Sequence, residues 1–319
     1  MARRLIRRVA AEDLRKDLSG KTYIVTGSNS GVGLETTRQL ITQGAHVVMA
    51  VRRPEAAQEA ATGFEGLRGS YSIENVDVSD LASVRDFTER IRAQHPRLDG
   101  LVCNAGGVMF GSEAKYSKDG LEMTMAVNFF GHFLMTELLL DLLTKTKGSR
   151  WLIVSSVVHA GSPKNRPQVH LEDLAHKERS YNGFSAYADA KVAGVLYAQE
   201  LAERVGAKGP FTASVHPGWA RSNFGSGGNA MIRAAMALMR PFTRTMSDSN
   251  EDSAQTSLHV LLSDEALQYP GAYFSQSSVL YRDPGYRNGG WPTETPNPHA
   301  RDMDVARELV RCSRDIVGL

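Results

Sequence analysis

Apolar residues fall in short runs and helical stripes that alternate along most of the chain. Residues 21–26 (KTYIVT) predict a short buried strand, and 33–44 (GLETTRQLITQG) a helix closed by Gly44. A second strand is expected at 46–51 (HVVMAV) and a second helix at 54–63. Residues 72–78 (SIENVDV) read as a third strand, followed by a helix from Ser79 with Asp80 and Ser83 near its first turn. Further strands are expected at 98–103, 151–155 and 212–216, with a long apolar helix at 123–143 and a helix carrying Tyr187 that ends near Val205. Strands alternating with helices at this spacing predict an α/β fold. It is a single Rossmann-type, doubly wound parallel sheet with helices on both faces and right-handed crossovers. One domain is expected over 1–319, with 1–20 as an N-terminal extension. Two stretches, 161–183 and 222–253, break the alternation and suit a substrate site; the second reads as a lid.

Composition narrows the function classes. The chain has 319 residues, 42% hydrophobic and 23% charged, and its net charge of +2 gives no reason to expect a nucleic-acid partner. No apolar run approaches the ~18–20 residues that span a bilayer. Residues 1–16 are basic but include Glu12 and Asp13 and lack an apolar stretch, which argues against a secretory signal. Cys103 and Cys312 make neither a disulfide framework nor a metal cluster, so no metal and a reducing, cytoplasmic setting are expected.

Candidate chemistry comes from two patterns. The loop from Thr26 to Gly33 (TGSNSGVG) lies between the first strand and the first helix. Gly27, Gly31 and Gly33 allow a tight turn and close approach of a diphosphate, with Ser28, Asn29, Ser30 and Val32 between them. The spacing is Gly-x-x-x-Gly-x-Gly, unlike the Gly-x-Gly-x-x-Gly fingerprint. Arg52 and Arg53 end the second strand where an NAD site would offer an acidic residue; guanidinium groups suit a 2′-phosphate, so NADP(H) is expected. Asp77, followed by Val78, suits either an adenine amino group or a helix N-cap. Downstream, Tyr187-Ala-Asp-Ala-Lys191 sets a phenol and an ammonium one turn apart, roughly 5–6 Å on one helix face. A nearby cation favours the phenolate and makes the pair a candidate proton-transfer device.

Together with Asn104-Ala105-Gly106, Asn128 and Ser155-Ser156 in this order, these motifs make the chain resemble the short-chain dehydrogenase/reductases. Within that superfamily it is similar to the retinol-dehydrogenase-like group, through VNFFGHFL at 127–134, VSSVVH at 154–159, SVHPG at 214–218, RPFT at 240–243 and the closing helix over 306–319. Light-dependent protochlorophyllide reductases are related and share LVCNA at 101–105, but commonly carry a cysteine where this chain has Trp219, and Gly-Ser where it has Ser155-Ser156.

The resemblance implies that Tyr187 is the general acid for carbonyl reduction and the general base for alcohol oxidation. Lys191 would lower the tyrosine pKa and hold the nicotinamide ribose. Ser156, preferred to Ser155 because the family match selects the second serine, would donate to the substrate oxygen. Asn128 is a relay residue that binds a water near Lys191, a satisfied structural amide, or both. Asn104 would position backbone; Pro217 and Gly218 would turn the chain beside the nicotinamide, with Ser222 nearby. Trp219 is a substrate-pocket candidate, as are Met109, Phe110 and Phe224. Met231, Ala235, Leu238, Met239 and Phe242 recur at helical spacing among arginines. That surface suits a lid over a hydrophobic small molecule, peripheral membrane contact, or simple core packing. His132, His159 and His216 read as core or supporting residues. The implied activity is hydride exchange between NADP(H) and a retinoid-, steroid- or lipid-aldehyde-like carbonyl or alcohol. Light-driven reduction of a protochlorophyllide-like pigment and a non-catalytic nucleotide-sensing scaffold are the alternatives, and a homo-oligomer is compatible with all three.

Overall fold

The computed structural model describes residues 7–218, 248–276 and 291–319. Short β-branched and apolar runs pair into one seven-stranded sheet: β1 (Thr22–Thr26), β2 (His46–Val51), β3 (Ser70–Asn75), β4 (Gly100–Cys103), β5 (Arg150–Val154), β6 (Phe211–His216) and β7 (Tyr273–Ser275). Their order is β3-β2-β1-β4-β5-β6-β7, every pair parallel. The chain moves outward from β1 to β3, then returns to place β4 on the other side of β1. That reversal opens a crevice at the carboxyl ends of β1 and β4. Alternate strand residues feed two cores: Ile24, Val48, Leu101 and Trp151 on one face, and Val25, Val47, Met49 and Leu152 on the other.

Helices α1 (Gly31–Thr42), α2 (Pro54–Ala61), α3 (Leu81–Gln94), α4, α5 (Gly183–Val205), α6 (Asn250–Leu262) and α7 (Met303–Val317) cover both faces. Asp80, Asn182, Ser249 and Asp302 cap α3, α5, α6 and α7 through their side chains. The long apolar helix α4 is not uniform. It runs through Met123–Met125, a π turn at Ala126–Phe130 and Gly131–Lys145, with Asn128 inside the wide turn. This 123–145 span is long and apolar enough to cross a membrane, contrary to the sequence expectation, but 72% of its most apolar window is buried inside the protein. It is the core helix, packed through Phe129 and Phe133 against Tyr197 of α5.

Other boundaries also moved. β3 begins two residues early and stops at Asn75, because Asp77 Oδ1 turns back to accept from Ser79 N and Oγ at 2.9 and 2.7 Å. The N-cap role open to Asp77 belongs to Asp80, which accepts from Ala82 and Ser83. The stretch 222–253 expected as a lid includes the start of α6: Ser249 caps that helix, and Ser253 is fully buried in it. Residues 219–247, including Trp219, Ser222, Phe224 and the methionine-rich stripe, lie outside the described residues.

The N-terminal extension is a strap. Arg7 N donates to Gln276 Oε1 and Gln276 Nε2 returns a bond to Arg7 O, at 3.1 and 2.8 Å. Arg8 pairs with Glu251 and Asp252, and Val9 N donates to Gln255 Oε1. The Arg7 guanidinium lies 5.3 Å from the Trp291 ring centre, and Trp291 stacks on His259 at 4.5 Å.

Candidate active site

The glycine loop sits at the mouth of the crevice. Gly27 and Gly31 adopt φ of 65° and 60°, a region that disfavours any side chain. At Gly33 a Cβ would meet Asn104 Nδ2 at 2.5 Å and Gly27 O at 2.7 Å, so helix and loop close only around glycine. Ser30 makes no side-chain cap on α1, which leaves the first N–H groups of that helix for another acceptor. Ser28 Oγ is buried with no partner among the described residues. These are the features a diphosphate requires, and the residues fit one. Asn29 is half-buried and Val32 buried beside them. Arg52 and Arg53 are exposed where β2 ends, and neither ion-pairs among the described residues. Val78 is buried and Asp77 half-buried after β3.

A residue the sequence reading passed over organises the opposite wall. Thr26 Oγ1 accepts from Asn104 N at 2.8 Å and Ala105 N at 2.9 Å, and meets His132 Nε2 at 2.9 Å. Asn104 Nδ2 donates to Thr26 O at 2.8 Å, so its amide holds backbone as expected. Burial, then the Lys191 charge, pushes His132 down to about 3, and it is a neutral prop under the loop. The loop continues to Gly106 and Gly107, where Asn128 takes over. Asn128 Nδ2 donates to Gly107 O and Thr124 O, both at 2.8 Å, and Oδ1 accepts from Gly107 N at 3.2 Å. The amide is satisfied and structural. Gly106 sits between it and the lysine, since a Cβ there would lie 2.6 Å from Asn128 Oδ1 and 3.5 Å from Lys191 Nζ.

Tyr187 and Lys191 occupy one face of buried α5, as their spacing requires, and the end of β5 faces them. Lys191 Nζ donates to Val154 O at 2.7 Å, while Ser155 Oγ donates to Lys191 O at 3.0 Å. Ser155 is therefore spent on the helix backbone. Ser156 Oγ accepts weakly from Val158 N at 3.4 Å and hydrogen-bonds the Tyr187 hydroxyl. Of the two serines, Ser156 is the one that meets the Tyr187 hydroxyl.

Burial dominates the electrostatics of the pair. Burial pushes the Tyr187 phenol up to about 12, and only the Ser156 hydrogen bond opposes it. The Lys191 ammonium lies over the ring, 5.3 Å from the centroid, with one N–H donated to Val154 O. Burial lowers Lys191 itself to about 7. The site therefore holds a neutral phenol bonded to a serine hydroxyl, beside an ammonium that gives up its proton near neutrality.

Gly218 ends the described stretch after β6 with φ 90°, packed against Asp248, and Pro217 precedes it half-buried. Met109 and Phe110 are half-buried in the loop before α4. Among the described residues no group of His, Cys, Asp and Glu could hold a metal ion. His159 and His216 both contact the Ser156 turn, a placement that sequence spacing does not signal.

The sequence model of the short chain dehydrogenase family matches residues 21–166. Retinol dehydrogenase 13 of Mus musculus is 32% identical over 306 residues, covering 95% of this chain and 85% of the relative. Retinol dehydrogenase 11 of Homo sapiens is 34% identical over 326 residues, covering 98% and 93%. A solved structure of an uncharacterized protein from Mycobacterium paratuberculosis is 27% identical, with a TM-score of 0.74 and 98% of each chain covered. With the crevice, the glycine loop and the Ser156–Tyr187–Lys191 cluster assembled on one sheet, the chain belongs to the short-chain dehydrogenase/reductase family, in its retinol-dehydrogenase-like group, and is an oxidoreductase of that family.

Proposed function

We propose that the protein exchanges a hydride between NADP(H) and a hydrophobic carbonyl or alcohol. The observation that carries this reading is the Tyr187 hydroxyl, buried, protonated and bonded to Ser156 at the carboxyl end of β5. A substrate oxygen seated between those two hydroxyls accepts a hydrogen bond from Ser156 and a proton from Tyr187 as carbonyl becomes alcohol. In the reverse direction Tyr187 takes that proton back. Bound in the crevice, the nicotinamide cofactor supplies or accepts the hydride. The α1 N-terminus and the Gly27–Gly33 loop would hold its diphosphate, Lys191 its ribose hydroxyls, and Arg52 and Arg53 its 2′-phosphate.

Asn128 acts in this scheme as the clamp that sets the Gly106–Gly107 loop beside Lys191. A relay water near Lys191 would have to use backbone or the second lone pair of Asn128 Oδ1, because both Nδ2 protons are spent on Gly107 O and Thr124 O. Asp77 retains a role toward the adenine amino group. The apolar character of the substrate is supported by relatives named for retinol. The two free cysteines suit a reducing, cytoplasmic compartment.

The test is a fluorescence titration with NADPH and NADH, followed by an aldehyde, ketone and retinoid panel read by NADPH consumption in the dark. NADPH is expected to bind more tightly, and Arg52→Ala to weaken it about tenfold while leaving NADH unchanged. Tighter NADH binding overturns the cofactor assignment. Turnover only of an illuminated tetrapyrrole overturns the substrate class.

A further inference from the structure

The peptide bond after Ser156 has one acceptor and one donor, and both end on imidazoles. The Ser156 carbonyl lies 2.6 Å from His159 Nδ1 and also accepts from His159 N at 3.1 Å. The Val157 N–H donates to His216 Nδ1 at 3.3 Å. A carbonyl can only accept, so His159 carries its proton on Nδ1; an N–H can only donate, so His216 Nδ1 is bare and its proton sits on Nε2. Two histidines from different elements thus grip one peptide unit in opposite tautomers.

The grip is braced from behind. His159 Nε2 lies 2.7 Å from Thr295 Oγ1, which already accepts from Asn297 N at 3.2 Å and so turns its own proton toward the ring. Asn297 Nδ2 donates to His159 O at 2.7 Å and Pro167 O at 2.8 Å. The His159 ring also stands edge-on to Tyr273, with centroids 4.6 Å apart. Displacement of this peptide would shift the Ser156 Cα, held at ψ 153°, and with it the hydroxyl bonded to Tyr187.

We infer that His159 and His216 are positioning residues, which fix the Ser156–Val157 peptide and thereby aim the Ser156 hydroxyl at the substrate oxygen. The catalytic consequence rests on the function proposed above; the tautomers do not.

Two measurements test this. In protein labelled with ¹⁵N at its nine histidines, two-bond ¹H–¹⁵N correlation spectra assigned through single-histidine variants read each tautomer. Nδ1–H at His159 and Nε2–H at His216 are expected, and the reverse at either position overturns the grip whether or not the protein reduces any carbonyl. The second measurement is steady-state kinetics. His159→Phe keeps the ring volume but leaves the part-buried Ser156 carbonyl only the His159 backbone N–H, and is expected to lower kcat about tenfold with KM for NADPH unchanged. His159→Asn presents an amide N–H at the Nδ1 position and restores most of kcat, whereas His159→Gln reaches only Thr295 and does not. His216→Asn, whose amide oxygen can face Val157 N–H, should outrank His216→Leu in the same way. Wild-type kcat in His159→Phe, or equal kcat in the Asn and Gln variants at 159, overturns the positioning role. A wild-type protein that binds NADPH yet reduces no carbonyl counts against the proposed function alone, since the spectra still decide the grip.

Discussion

Two regions of this fold bury polar groups and treat them in opposite ways. Around Tyr187 the described side chains are committed: Lys191 to Val154 O, Ser155 to Lys191 O, and Asn128 to Gly107 and Thr124. Where α1 packs on α6, the buried hydroxyls of Thr36, Thr37, Ser253, Thr256 and Ser257 have no partner among the described residues. The first arrangement uses polarity to hold geometry. The second uses small side chains to let two helices approach, and tolerates their hydroxyls. An unpaired buried hydroxyl costs about 1–3 kcal/mol, so the helix contact carries a stability reserve that the catalytic face lacks.

The sharpest break of this contrast is Tyr187→Phe. Loss of the proton donor should reduce kcat by about 10²–10⁴-fold while NADPH affinity, read by fluorescence, stays within about twofold. Unchanged turnover would falsify the proton-transfer assignment.

Lys191→Met comes next. Its effect on kcat/KM should be smaller, about 10²-fold. It should also change how stability depends on pH. Burial lowers the folded-state value of Lys191 to about 7, from an ordinary 10.5. Between those values the unfolded chain holds more protons, so wild-type stability gains from this group as pH rises. The burial penalty is full below the folded value and gone above the unfolded one. Chemical denaturation at pH 6.5 and 9 should therefore show Lys191→Met favoured more strongly at the lower pH. A difference independent of pH would mean that burial does not lower this lysine.

Ser253→Ala has the smallest effect and probes the other region. Removing an unpartnered hydroxyl of little volume should raise stability by up to about 1 kcal/mol, read by denaturant titration, with kcat unchanged. A loss above about 1 kcal/mol would erase the contrast between the two regions.

What could be read in the chain follows the same division. The pairing of Tyr187 with Lys191 and the glycine loop are spacing signals, and helix geometry alone brings them into place. β2 has the same ends in sequence and structure because its apolar run is bounded by charge and glycine. The start of α6 is hidden: its first half buries Ser253, Ala254, Gln255, Thr256 and Ser257, which carry no apolar stripe, and only its second half, from Leu258 to Leu262, is apolar. Asn128 was picked out as an amide in an apolar helix, yet nothing local announces a π turn around it. The burial of the Tyr187 phenol is illegible for a related reason. Spacing gives the distance to a cation, whereas depth of burial belongs to the whole fold, and here depth wins.

The N-terminal strap has a consequence for the order of assembly. Its reciprocal bonds join Arg7 to Gln276 across 269 positions, and Arg7 also reaches Trp291 O across 284. Contacts of such separation form only after the intervening sheet has brought its last strand into register. The strap is expected to close late, and its release to be an opening event separate from loss of the core. Trp291, held between Arg7 and His259, is placed to report that event by its fluorescence before the sheet itself unfolds.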